Sequence, residues 1–268
     1  MSRTVSCLAV LSVLVCVAPA NSAIVRTEDF SVDPGWSVVG SGLNENHFGY
    51  QPSSSFAGGS TGEGGGTFTR SNFVKYYADT HLGGTLTLDQ PLSASGKLDY
   101  TDSFHADFGY TNMLGHFSKS GFGRVGIAVN YDGNANKFYW TPVIILDDFT
   151  DLSASTAFTK IGPNVDRAWS YSWDPNGGAG YGSLTTLLDG VTHTIELTAA
   201  QRAVGSTMDA FGFAGLAGPS TVSTWYADIY FDDLTCTVVP EPSAFILSLS
   251  LGAFGLFWRA YTWRKGTR

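Results

Sequence analysis

Ala168-Trp-Ser-Tyr-Ser-Trp173 alternates aromatic and small polar side chains, and the stretches that follow it, Ser183 to Leu188 and Thr192 to Leu197, alternate in the same way. A period of two places Trp169, Tyr171 and Trp173 on one face of a strand and the serines on the other. Leu188-Asp-Gly-Val191 separates the last two stretches, and Asp-Gly suits the positive φ of a type I′ hairpin turn. This part of the chain reads as short antiparallel strands joined by tight turns.

The pattern spreads outward from there. Gly83 to Asp89, Gly123 to Asn130, Lys137 to Leu146 and Trp225 to Val238 alternate between turn residues, and Asn130-Tyr-Asp-Gly-Asn-Ala-Asn136 is a second hairpin signal. Only Thr198 to Val204 reads as a helix. Thirty-two glycines, many aromatics and only 14% charged residues fit two antiparallel sheets packed face to face. The expected fold is all-β, a jelly-roll type antiparallel β-sandwich over residues 24–238. No internal repeat or linker divides it. The Gly/Ser-rich stretch from Gln51 to Gly66 lacks the Lys-Ser/Thr ending and following helix of a phosphate loop. It reads as a tight loop leading into a strand, with Glu63 its one chemical candidate.

Both ends of the chain carry address-like segments. Arg3, an apolar run from Leu8 to Val17 and the small residues Ala18, Ala20, Ser22 and Ala23 form a cleavable secretion signal over residues 1–23. At the other end, Pro240 and Pro242 hold the chain extended. An uncharged run from Ala244 to Trp258 follows, then Arg259, Arg264, Lys265 and Arg268. The run spans roughly 22 Å, short of a ~30 Å hydrocarbon layer, and crosses it if Arg259 snorkels and Tyr261 and Trp263 sit at the interface. A transmembrane helix over about 244–263 is expected, with the basic terminus in the cytoplasm and everything before it outside.

Pro240-Glu241-Pro242, then a hydrophobic helix, then a basic terminus resembles the PEP-CTERM sorting signal of bacterial exported proteins. The resemblance covers residues 239–268. It implies recognition by a membrane-embedded cysteine protease of the exosortase family and cleavage near Pro-Glu-Pro. It also implies release or attachment at the surface, often alongside exopolysaccharide.

Without these two segments the composition shifts. Cys7 and Cys16 leave with the secretion signal and Cys236 remains, so no intramolecular disulfide framework exists. Residues 24–240 keep 22 of the 23 acidic residues and 10 of the 15 basic ones, a formal charge of −12. Such a surface repels nucleic acid and anionic lipid and is compatible with cations and neutral glycans.

Trp173-Asp-Pro-Asn-Gly-Gly-Ala-Gly-Tyr-Gly182, Leu188-Asp-Gly190, Ile195-Glu-Leu197, Phe211-Gly-Phe213 and Tyr230-Phe-Asp-Asp-Leu234 together resemble the closing strands of concanavalin A-like lectin/glucanase domains. The resemblance covers roughly residues 165–238 and implies a sandwich more firmly than sugar binding. Glucanases of that superfamily carry a Glu-x-Asp-x-x-Glu strand. None is present here, and Glu28, Glu45, Glu63 and Glu196 each lack a carboxylate two residues away. Asp147, Asp148 and Asp151 form the nearest cluster and read as a polar loop.

Other candidates are weighed against plainer roles. His105 and Asp107, with Asp102 and His116 nearby in sequence, could start a transition-metal site or an acid/base pair, or form an exposed polar face. No cofactor is required by the sequence. Calcium is the better metal, held through Asp232 or Asp233 as in many jelly-roll modules, or through Asp132, Asn134 and Asn136, a loop that turn chemistry also explains. Trp169, Tyr171 and Trp173 are either half the core or a stacking platform for glycan. One member of Tyr76-Tyr77 and of Trp225-Tyr226 could be exposed.

Two functions follow. One is an exported, non-catalytic surface or matrix protein, processed by an exosortase and binding glycan. The other is a secreted polysaccharide-active enzyme, glycosidase or lyase, with two carboxylates about 5 to 10 Å apart in a groove.

Overall fold

A computed structural model of the chain describes residues 24–40, 48–69, 75–104, 112–132, 137–152, 159–161, 165–215 and 226–238. The secretion signal, the Pro240-Glu241-Pro242 motif and the apolar run with its basic end lie outside the described residues. So do Glu45, His105, Asp107, Asn134, Asn136 and Trp225, and the side chains of Asp102 and Asp132. Among the described residues no helix is long and apolar enough to cross a membrane.

In chain order the first strands are β1 (Ile24–Glu28), β2 (Ser37–Val39), β3 (Gly49–Gln51), β4 (Glu63–Thr69), β5 (Lys75–Asp79) and β6 (Leu86–Thr87). Next come β7 (Leu92–Phe104), β8 (Asn112–Phe117), β9 (Arg124–Asp132), β10 (Lys137–Ile145), β11 (Thr159–Ile161) and β12 (Arg167–Asp174). The chain continues through β13 (Ser183–Leu188), β14 (Val191–Glu196), α1 (Ala199–Val204), β15 (Thr207–Met208), β16 (Ala210–Gly215) and β17 (Tyr226–Val238).

Two antiparallel sheets form the sandwich. The first runs β14-β13-β12-β7-β17-β4-β3 with β1 added on β17, and the second runs β11-β10-β9-β8-β16-β5-β2. β17 pairs with β7 and β4 in the first sheet while β16 pairs with β8 and β5 in the second, so one ribbon wraps across both layers. The core between the sheets joins Trp169, Trp173, Phe231 and Phe68 from one side to Trp140, Ile127, Phe211 and Phe213 from the other. Burying each such side chain is worth about 1.5–3 kcal/mol, which gives the fold its main driving force without a disulfide. Cys236 is free and buried.

Several expectations hold locally. Asp189 and Gly190 both take positive φ, 51° and 79°, as a type I′ turn requires. Thr198 caps α1 in a reciprocal capping box with Gln201.

Others need correction. Of Gly83 to Asp89 only Leu86–Thr87 is a strand, paired with β15 in a separate two-stranded sheet. Gly64, Gly65 and Gly66 are not loop but belong to β4, paired beside β17. A Cβ on Gly64 would lie 2.3 Å from the Phe231 ring, so the glycine lets that ring fill the core. Tyr76 and Tyr77 are both buried, because Tyr76 joins a second apolar cluster with Met113, Phe117 and Val143. The second sheet therefore has both faces covered along β5, β8 and β16.

Candidate functional site

β12 decides which face of the first sheet is available. Trp169, Tyr171 and Trp173 are 2%, 2% and 1% exposed, so they are core and no sugar can stack on them. Long-range bonds accompany that burial: Trp173 donates its indole N–H to Leu88 O at 2.8 Å, and Tyr171 is hydrogen-bonded to His116. The stacking-platform alternative is thereby corrected to its core counterpart.

The same period turns the hydroxyls outward. Ser170 faces Ser95 on β7 and Leu187 on β13, while Ser172 faces Ser93 and Thr185. Thr192 extends the first row on β14, and Thr235 of β17 stands beside Ser95. Together with Val25 these residues line an open groove of about 450 Å³ across the outer face of the sheet. Its side chains offer hydroxyl donors and acceptors with apolar contact from Leu187 and Val25. No Asp, Glu, His, Lys or Arg is among its lining residues, and Tyr171, which is, has its hydroxyl bonded to the buried His116.

The acidic candidates sit elsewhere. Glu63 is fully buried and accepts from the backbone N–H groups of Phe56 and Ala57 at 2.9 and 2.8 Å, which makes it a lock on its own loop. Glu28 accepts from Phe30 N. Asp147 accepts from Thr207 N at 3.0 Å, Asp148 accepts from Thr150 N at 2.9 Å, and Asp151 forms an isolated bridge to Ile145. That cluster is a turn, and the Thr150 N–H holds Asp148 below the usual carboxylate range.

His116 is a core residue, not part of a metal or acid/base site. Its Nε2–H donates to Thr237 O at 2.7 Å, and its Nδ1 accepts from the Tyr171 hydroxyl, which in turn accepts from His116 N at 3.2 Å. Burial pushes its pKa down to about 4 despite the bond to Thr237. Nothing in the local sequence signals this triad, because its members come from three strands far apart in the chain.

Asp232 and Asp233 part company at a bulge of β17. Asp232 is buried, accepts from Asp233 N at 2.7 Å, and burial pushes its pKa up to about 6. Asp233 takes φ 51° and turns out to Lys97 at 2.9 Å. The two carboxylates are thus not a ligand pair. Among the described residues no three His, Cys, Asp or Glu side chains converge as a metal site. Of the two, Asp232 is the desolvated carboxylate, under the loop at Gly58.

Residues 238–265, which begin at the last residue of β17, match the PEP-CTERM protein-sorting motif. The chain carries a PEP-CTERM sorting motif. No functionally curated protein matches the chain. Among solved structures it is similar to the alginate lyase Aly36B, at 12% identity over 82% of this chain and 100% of that one, with a TM-score of 0.45. It is also similar to cellulose induced protein, Cip1, at 11% identity over 81% and 97% of the two chains, with a TM-score of 0.44. A third likeness is to the CBM2 module of Lactobacillus casei BL23 phage J-1 evolved Dit, at 12% identity over 81% and 97%, with a TM-score of 0.41.

Proposed function

We propose that this PEP-CTERM chain is a non-catalytic surface or matrix protein, exported across the inner membrane. Its C-terminal helix holds it in the membrane until an exosortase cuts near Pro240-Glu241-Pro242, after which it resides at the surface or outside the cell. The observation that carries this reading is the match over residues 238–265. Intact-mass spectrometry of membrane and released fractions from the native host tests it. A released mass ending between Pro240 and Ser243 supports processing, and a membrane fraction that retains Arg268 with no released form rejects it.

Within this role the sandwich binds glycan, such as exopolysaccharide, through the groove on the outer face of the first sheet. The hydroxyl lining supports binding, since it holds no Asp, Glu, His, Lys or Arg and the hydroxyl of its Tyr171 is engaged by buried His116. Ser172→Val combined with Thr185→Val removes two hydroxyls and keeps strand-forming side chains. Binding on a glycan array weakened about tenfold or more is the expected result, since each lost hydrogen bond costs about 1 kcal/mol. Unchanged binding removes the groove from the reading.

Asp232 keeps the part of calcium ligand in this proposal. Calcium raises Tm in the wild type and not in Asp232→Asn if the ion binds there. Equal melting in calcium and in chelator rejects it.

A further inference from the structure

Phe122, in the turn between β8 and β9, and Phe149, after β10, are 49% and 62% exposed. Their rings meet edge to face with centroids 4.9 Å apart. Phe149 also holds φ at 72°, a left-handed backbone that bulky residues rarely adopt. Strain kept at a residue whose ring stands in water, where packing gains little, points to display rather than to folding.

The two turns that carry these rings are tied to one segment, residues 205–209. Thr207 N donates to Asp147 Oδ1 at 3.0 Å and Asp147 N donates to Gly205 O at 3.0 Å, which pins the Phe149 turn. Phe149 N itself donates to Leu146 O at 3.0 Å. On the other side Lys119 N donates to Asp209 Oδ1 at 2.8 Å and Asp209 N donates to Phe117 O at 3.0 Å. Ser118 N closes the Phe122 turn on Gly123 O at 2.8 Å. The turns that present the rings are therefore in place before a ligand arrives, and the rings rest on each other, which lowers the ordering cost of binding.

Size and charge choose the occupant. Two side chains fall far short of the ~800 Å² per partner that a stable protein interface buries, so neither a second copy nor another protein is held by this patch alone. Asp147 and Asp148 are exposed beside Phe149, and Lys119 is paired with Asp209 at 3.6 Å, so an anionic bilayer meets repulsion. A pyranose fits both conditions, with its C–H face on a ring and its hydroxyl rim donating to carboxylate. The same carboxylates repel uronic acids. We propose that Phe122 and Phe149 form a stacking platform for uncharged pyranose residues of a polysaccharide. This contact is separate from the hydroxyl groove and does not rest on it.

Affinity electrophoresis of the full chain in a sugar-free detergent tests the platform, with hydroxyethylcellulose, galactomannan, xylan or alginate in the gel. Retardation is expected in at least one of the three neutral gels. Phe149→Ala and Phe122→Ala should each cut it fivefold or more, and Phe149→Tyr should keep it. Phe149→Gly removes the ring while relieving the left-handed backbone, and an unchanged Tm separates its loss of binding from misfolding. No retardation of wild type in any neutral gel, retardation in alginate alone, or equal retardation of Phe149→Gly and wild type overturns the platform. A dimer or vesicle co-sedimentation that Phe149→Gly abolishes while glycan retardation persists also overturns it. Loss in Ser172→Val/Thr185→Val with none in Phe149→Gly leaves the groove and removes the platform, and the converse removes the groove.

Discussion

At neutral pH His116 is uncharged between Tyr171 and Thr237, and acid must charge it in a fully buried site. Its folded pKa of about 4 lies below the unfolded value of 6.5, so the unfolded chain binds the extra proton between the two. Stability from this group is full above pH 6.5 and is lost as pH falls through 4, about 3 kcal/mol in all. Urea melts at pH 7 and pH 4.5 should show most of that drop in the wild type. His116→Gln, which cannot charge, should be less stable at pH 7 and lose less on acidification. Gly182 makes a second residue-scale prediction. It holds φ at 105°, and a Cβ there would lie 2.1 Å from the Trp173 ring. Gly182→Ala should cost about 2–4 kcal/mol in thermal or urea unfolding through backbone strain and displacement of that ring. Neither role was legible in the sequence: a lone histidine carries no sign of its partners, and one glycine of 32 does not announce which ring it faces.

Elements were more legible than residues because period-two alternation is a local signal. β12, β13 and β14 came within one residue of their observed bounds, since each has one face in the core and one in solvent. β5, β8 and β16 escaped that reading because both faces of the second sheet are covered along them, so polar and apolar side chains no longer alternate. β4 hid among glycines for a related reason: a strand that must lie against large rings gives up its own side chains. α1 offers a test at this scale. None of its residues is buried, so its end is held by the capping box rather than by packing. Thr198→Ala should lower stability by about 1 kcal/mol and raise amide exchange over residues 199–204. Since α1 leads into the segment that braces Phe149, the same variant should loosen that loop, readable as faster exchange at Thr150.

For the whole molecule, the sorting motif starts where the last strand stops. Thr237 O accepts the His116 bond from within the final pair of residues of β17. A chain ending after Pro240 should melt with the Tm of the full chain. One ending after Leu234 loses Cys236 and Thr237 from the core and should not fold, which circular dichroism melts would show. β1 adds a further consequence. It pairs along β17 with Ile24 opposite Val238, so the first and last strands of the domain lie side by side. A chain threaded across a membrane from its N-terminus holds β1 outside while β17 is still within the cell. The sheet that needs both cannot close during passage, and its completion marks the moment when the last of the domain has crossed.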